Sequence, residues 1–348
     1  MTKYPDLHTD VQNGVGLITL NRPKALNALS FEMIKGMHEA LMHWATLDSV
    51  HTVMIQGEGD RAFCAGGDIR SLYDAHIRGD HGFIQDLFRE EYTLNYLIAT
   101  YPKPYMALMD GITMGGGCGV SVHGSHLIVT ERTVMAMPET AIGYFPDIGA
   151  SHFLSKCPGK IGLYLGLTGA RLNAADILYA NLADYYVPAA AIDELRDQII
   201  LGDPIEVVLS AYQDVPEVGM LNDHQAEIDR CFTAPSLSEI MINLQNTRSS
   251  WAQDALKTFK NNSPFSLNVT HKLLNNKDIN VRDSLLVDFR ISQRMIDKPD
   301  FYEGVRAVLV DKDNAPRWQP ERLDQVSLDQ VDKCFEPLDI NELELPPL

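Results

Sequence analysis

Two glycine-rich turns and three carboxylates are the residues best suited to do chemistry. The first turn is Phe63-Cys64-Ala65-Gly66-Gly67-Asp68-Ile69-Arg70. Adjacent glycines let backbone N–H groups point at a ligand with no side chain in the way. The second is Asp110-Gly111-Ile112-Thr113-Met114-Gly115-Gly116-Gly117-Cys118-Gly119. Each glycine costs roughly 1 kcal/mol against alanine inside a helix. Three in a row make sense at a helix start, where a ligand approaches unsatisfied N–H groups. One donor from each turn would form an oxyanion hole, which takes up charge developing on a carbonyl oxygen. Taken alone, each also reads as a tight turn or a close helix contact.

The carboxylates are Glu91, Glu139 and Asp147. Ile84, Leu87, Glu91, Leu94 and Ile98 recur at helical spacing, so Glu91 interrupts an apolar stripe. A carboxylate there needs a partner or a ligand, and a buried ion pair is the structural alternative. Glu139 follows the apolar run 134–137 and sits among small and apolar residues. Such surroundings favour the protonated form. Asp147, in the same Pro-Glu-Thr-Ala-Ile-Gly-Tyr-Phe-Pro-Asp stretch, reads alone as a turn residue or a helix N-cap.

Short buried strands are predicted at 15–20 and 52–57. Between them Ser30 can cap a helix whose Ile34, Met37, Leu41 and Trp44 share one face. Strand, helix, strand in that order implies a crossover and an α/β fold. A second helix should run through about 83–100 and end before Pro102 and Pro104. Strand-like segments follow at 105–110 and 126–130. From about 160 the pattern is helical, with helices near 221–232, 236–246, 250–260 and 281–296. The stretch 202–222, rich in Gly and Pro, reads as a bridge. That divides the chain into a core at 1–202 and a mainly helical region with an acidic tail at 203–348.

Composition excludes some partners. The formal charge is −18, and residues 319–348 hold eight acids against two bases. Such a surface repels nucleic acid and anionic membranes. No apolar run reaches the ~18 residues needed to span a bilayer. Five scattered cysteines without a C-x-x-C pair, and a polar stretch at 1–10, predict a reducing cytoplasm. Gly14-Val15-Gly16 is no dinucleotide fingerprint, since Thr19 stands at its third glycine position. A P-loop, H-E-x-x-H and G-x-S-x-G are also absent from the sequence, and the histidines show no metal-ligand spacing. Neither a metal nor a redox cofactor is expected.

Together these motifs resemble the crotonase (enoyl-CoA hydratase/isomerase) superfamily over nearly the whole chain. The match begins at Asn21-Arg22-Pro23-Lys24-Ala25-Leu26-Asn27-Ala28-Leu29 and runs through both glycine turns. It looks most like the branch that hydrolyses 3-hydroxyisobutyryl-CoA. That likeness rests on Glu90-Glu91-Tyr92, Lys103-Pro104-Tyr105, the Glu139 and Asp147 stretch, and Phe301-Tyr302-Glu303-Gly304 with the segment to Asp313. Members of the superfamily often form homo-oligomers, which the periodicity leaves open here. The resemblance implies a spiral of ββα turns closed by C-terminal helices and an acyl-CoA substrate. It also implies oxyanion-hole donors at Gly67 and Gly116 and a catalytic pair at Glu139 and Asp147. Glu91 would line the acyl pocket. CoA would lie along Lys24, Ala25, Leu26, Ala65, Asp68 and Ile69, with Lys312 at a phosphate. Hydratases of the family carry a glutamate just after the glycine triplet, where this chain has Gly119. That departure weighs against hydration. A dienoyl-CoA isomerase and a non-catalytic acyl-CoA-binding relative are the other readings.

Overall fold

Short runs of aliphatic and β-branched residues make the strands, and the turns between them carry the special backbone. The computed structural model describes residues 3–275 and 279–347. Its strands are β1 (Leu7–Gln12), β2 (Val15–Leu20), β3 (Thr52–Gly57), β4 (Ala62–Cys64), β5 (Tyr105–Met109), β6 (Ile112–Met114), β7 (His126–Val129), β8 (Val134–Ala136) and β9 (Tyr185–Tyr186). β1 and β2 form an antiparallel hairpin. Its two-residue turn is Asn13-Gly14, both at positive φ, the turn that matches strand twist. From β2 onward the larger sheet is parallel, in the order β1-β2-β3-β5-β7-β9.

The remaining strands form a second sheet, β4-β6-β8, in which β4 and β6 are parallel. This pairing matters for function. β4 ends at Cys64 and β6 ends at Met114, so both glycine turns leave neighbouring parallel strands at their C-terminal ends.

The expected elements form where the periodicity placed them. Ser30 Oγ accepts from Met33 N at 3.3 Å and caps helix Phe31–Ala45, whose Ile34, Met37, Leu41 and Trp44 are buried. Helix His81–Ala99 buries Ile84, Leu87, Leu94 and Ile98. The stretch 202–222 is not a plain bridge. It contains helix Ile205–Tyr212, which sends Val208 and Leu209 into a core with Met106, Leu108, Leu195 and Ile199. Pro204 directly precedes that helix, where its missing N–H costs nothing, so it starts the helix and does not break it.

By contacts the chain forms two compact units, each discontinuous in sequence. The first comprises the residues up to Asp68, Glu90–Met135 and Arg171–Gly219. It holds the large sheet and its core. The second comprises Ile69–Arg89, Ala136–Ala170 and the residues from Met220 onward. Its centre is helix Ile161–Thr168, buried at every position, as a helix packed on all sides must be. Helices Leu221–Phe232, Ser250–Asn261 and Pro264–Leu274 pack against it.

The acidic tail is more than a solvated surface. Arg294 donates to the carbonyls of Glu336 and Pro337, Arg89 to those of Asn341 and Glu342, and Arg282 to those of Leu345 and Pro346. Arg290 pairs with the Glu342 carboxylate, and Leu343 and Leu345 are buried. Among the described residues no helix is long and apolar enough to cross a membrane.

Candidate active site

In the first unit the two glycine turns and Glu91 meet. A Cβ on Gly116 would lie 2.5 Å from Glu91 Oε1 and 3.1 Å from Gly67 N. The space that any larger residue would fill at 116 is therefore bounded by a carboxylate oxygen and an amide nitrogen. Backbone pairing explains why the Gly67 amide points there. Leu29 N donates to Gly66 O at 2.8 Å, and Asp68 N donates to Leu29 O at 2.8 Å. This parallel bridge uses the groups on either side of Gly67 and leaves its own N–H facing the other way. Gly116 opens the four-residue helix Gly116–Gly119, and a first helical N–H has no acceptor inside its helix. Glu91 is buried, on the face that also buries Leu94.

The turns pack backbone against backbone. A Cβ on Gly117 would stand 2.2 Å from Cys64 O, so only glycine allows this approach. Gly66, at φ 115, and Gly115, at φ 48, bend the chain as side chains rarely permit. Burial pushes the Cys64 thiol up to about 12, which rules it out as a thiolate nucleophile near neutral pH.

The segment 24–26 is tied to the first glycine turn by Ala65 N, which donates to Leu26 O at 3.0 Å. Lys24 and Ala25 are exposed on the short turn Pro23–Ala25. Asp68 pairs with Arg22 at 3.0 Å. Arg22 also donates to Ala28 O, and the buried Asn27 amide donates to the carbonyls of Glu58 and Ala62. Sequence reasoning assigned no role to Arg22 or Asn27, although both stand in the Asn-Arg-Pro motif region that it quoted. Ile69 begins helix Ile69–Ile77, in the second unit.

Glu139 and Asp147 both lie in the second unit, and both are buried. Glu139 opens the single turn Glu139–Ile142. Thr140 anchors that turn. Its Oγ1 donates to Leu167 O at 3.3 Å and accepts from Asn262 Nδ2 at 2.9 Å, while its carbonyl accepts from Ser263 N at 3.1 Å. Downstream glycines clamp the other side. A Cβ on Gly143 would lie 2.2 Å from Asp300 O, and one on Gly304 would lie 2.4 Å from the Ile142 backbone. The Phe301-to-Asp313 motif thus supports the Glu139 turn by close main-chain contact. Its Arg306 bridges Glu303 at 2.9 Å, Asp311 at 2.6 Å and Asp313 at 2.8 Å. That fixes the loop on which Lys312 stands exposed at φ 58.

Asp147 is not the N-cap of the next helix. Gly149, at φ 83, holds that position before Ala150–Phe153, and Asp147 contributes its carbonyl to Ala150 N at 3.0 Å. Gly149 N donates to Asp288 Oδ2 at 2.7 Å. Asp288 was missed in the sequence, as were Thr140 and Asn262. For Asp288 a signal existed: it sits in the buried face of helix Val281–Met295 with Leu285 and Phe289, the same interruption of an apolar stripe that marked Glu91.

The family model described as Enoyl-CoA hydratase/isomerase matches residues 15–335. The chain belongs to that family. As an enoyl-CoA hydratase/isomerase family member it adopts the crotonase fold, and solved neighbours agree. A structure titled enoyl-CoA hydratase from Rhodobacter sphaeroides 2.4.1 is 40% identical with a TM-score of 0.93, covering 98% of this chain and all of its own. One titled carnitinyl-CoA dehydratase from Mycobacterium thermoresistibile is 38% identical with a TM-score of 0.92, covering 98% of each chain. A curated family relative from Gallus gallus, 3-hydroxyisobutyryl-CoA hydrolase, mitochondrial, is 44% identical over 99% of this chain and 93% of its own. This family member is therefore an enzyme of acyl-CoA chemistry. The cytoplasmic expectation is overturned, because the relatives carry mitochondrial names. Unpaired thiols separate oxidising from reducing compartments, but not one reducing compartment from another.

Proposed function

We propose that the protein hydrolyses 3-hydroxyisobutyryl-CoA to 3-hydroxyisobutyrate and CoA, a step of valine breakdown. The 44% identity to a hydrolase of that name supports the substrate. The observation that carries hydrolysis over hydration is Gly119. It is buried in helix Gly116–Gly119 and offers no side chain where family hydratases place their first glutamate. The hydratase and dehydratase titles of two solved neighbours favour the rival reaction, but the missing acid/base group weighs against it.

In this reading the thioester oxygen accepts from the N–H groups of Gly67 and Gly116. As the carbonyl carbon is attacked, charge moves onto that oxygen and the two amides stabilise it. Two routes reach the same products. Glu139 takes a proton from water and the water oxygen bonds to carbon, or Glu139 bonds to carbon itself and water then cleaves the anhydride. In both, the C–S bond breaks with its electrons on sulfur, and the thiolate of CoA takes up a proton. Asp147 holds the 3-hydroxyl or the water, and Glu91 keeps the acyl pocket polar. Lys24, Ala25, Leu26, Ala65, Asp68 and Ile69 run along CoA, with Lys312 at a phosphate. The scheme calls on no metal or redox cofactor.

The test is free-thiol release from 3-hydroxyisobutyryl-CoA, within a panel of short 3-hydroxyacyl-CoAs. Thiol release fastest on that substrate is expected. Formation of an enoyl-CoA without free thiol would overturn the reading. After one turnover in ¹⁸O-water, label recovered in Glu139 would identify the anhydride route with water attacking the Glu139 carbonyl, since the general-base route never bonds water oxygen to Glu139.

A further inference from the structure

The turn that carries Asp147 is held in a conformation its own sequence resists. Ile148 sits at φ 55, and a β-branched residue in the left-handed region is a genuine outlier. Gly149 follows at φ 83. Strain of this kind persists only where the surroundings over-determine it. Here the surroundings are one face of helix Val281–Met295. Asp288, fully buried, accepts from Gly149 N at 2.7 Å, and one turn earlier Ser284 Oγ bonds Ser151 Oγ at 2.6 Å.

We propose that Asp288 is a positioning residue for Asp147: by accepting from the Gly149 amide it locks the left-handed turn and so fixes the direction of the Asp147 carboxylate. This inference rests on the role given to Asp147 above. Three observations support it beyond the hydrogen bond. Asp288 is a carboxyl on the buried face of its helix, with Leu285 and Phe289, where a polar group without a task is costly. Its second oxygen, Oδ1, has no hydrogen-bond partner among the described residues, so satisfying that helix face does not account for it. Burial, with the Asp147 charge nearby and against the pull of the Gly149 amide, holds its carboxyl well above the usual carboxylate range. A neutral Asp288 supplies the acceptor without placing a second negative charge beside Asp147.

The experiment is a kinetic cycle on the full chain with Asp147→Asn, Asp288→Leu, the double variant, and Asp288→Asn. Asparagine keeps a neutral side chain with an acceptor oxygen, so Asp288→Asn should hold kcat within about threefold of the parent. Asp288→Leu should lower kcat by about tenfold or more with KM little changed, and should add almost nothing in the Asp147→Asn background. A merely structural role would lower the active fraction in both backgrounds alike. Asp288→Leu with parental kcat, additive losses, or Asp288→Asn as damaged as Asp288→Leu would each overturn the inference. Should Asp288→Leu not fold, Asp288→Ser, too short to reach Gly149, replaces it in the cycle. Full activity in Asp147→Asn alone would instead sink the role of Asp147 and leave the reading of the fold untouched.

Discussion

The glycine turns of the first unit and the carboxylate turns of the second are held by different means. At Gly117 backbone meets backbone, and at Gly116 the Glu91 carboxylate and the Gly67 amide leave room for hydrogen only. At Glu139 and Asp147 the turns hang on side chains from far along the chain, Asn262 to Thr140 across 122 positions and Asp288 to Gly149 across 139. The first arrangement is damaged by adding atoms; the second, clamped at Gly143 and Gly304 as well, is damaged also by taking atoms away. A donor that is part of the main chain cannot be misaligned by rotamer choice. A carboxylate on a strained turn is only as well aimed as its anchors.

The largest effect expected is outside that contrast and calibrates it. Glu139→Gln keeps the shape and removes the base or nucleophile, so kcat for thiol release should fall by about 10²–10⁴. Next comes the added atom. Gly116→Ala must displace Glu91 or the Gly67 amide and should cost about 10²–10³ in kcat. Gly117→Ala, pressed on a backbone carbonyl, should lower the melting temperature as well. A fully active Gly116→Ala would end the oxyanion assignment. The removed atom follows. Thr140→Val strips two hydrogen bonds from the Glu139 turn, while Asn262 Nδ2 keeps its bond to Leu167 O, so urea unfolding should show a loss of about 1–3 kcal/mol for the two bonds. If that variant is as stable as the parent, the two units are not held as differently as they look.

Acidity gives a subtler probe. Asp288 keeps its proton in the folded protein at pH values where an unfolded chain has released it. The folded state then binds more protons, so this stabilisation is whole below the ordinary aspartate value of about 4 and is lost as pH rises toward the folded value. Asp288→Asn abolishes the slope. Its urea midpoint should gain on the parent's from about pH 4 to pH 7, and parallel curves would contradict a buried neutral acid. The smallest effect is expected at Lys312, which is exposed. Lys312→Ala should raise KM about threefold, as suits a screened surface charge, and leave kcat alone.

The amide side was legible because glycine runs are visible in sequence. Their placement was not, because the strands that aim them, Ala62–Cys64 and Ile112–Met114, are three residues each and too short to show a period. Glu91 was legible from the stripe it interrupts. The supports of Glu139 and Asp147 were not, since nothing local ties Thr140 to Asn262, or Gly149 to Asp288. Helix Ile205–Tyr212 was hidden by Pro204, which reads as a breaker until its place ahead of the first turn is known. Compartment was misread because free thiols report redox state, not address.

The arginine strap along the tail has a consequence of its own. Six of its contacts grip carbonyl oxygens at 336–337, 341–342 and 345–346, and every residue type supplies a carbonyl. Swapping acidic for neutral residues there leaves those six acceptors in place. The fastening should also outlast ionic strength that dissolves ordinary surface ion pairs. It behaves as a buckle closed on the thread of the chain, indifferent to most of what the thread is dyed with.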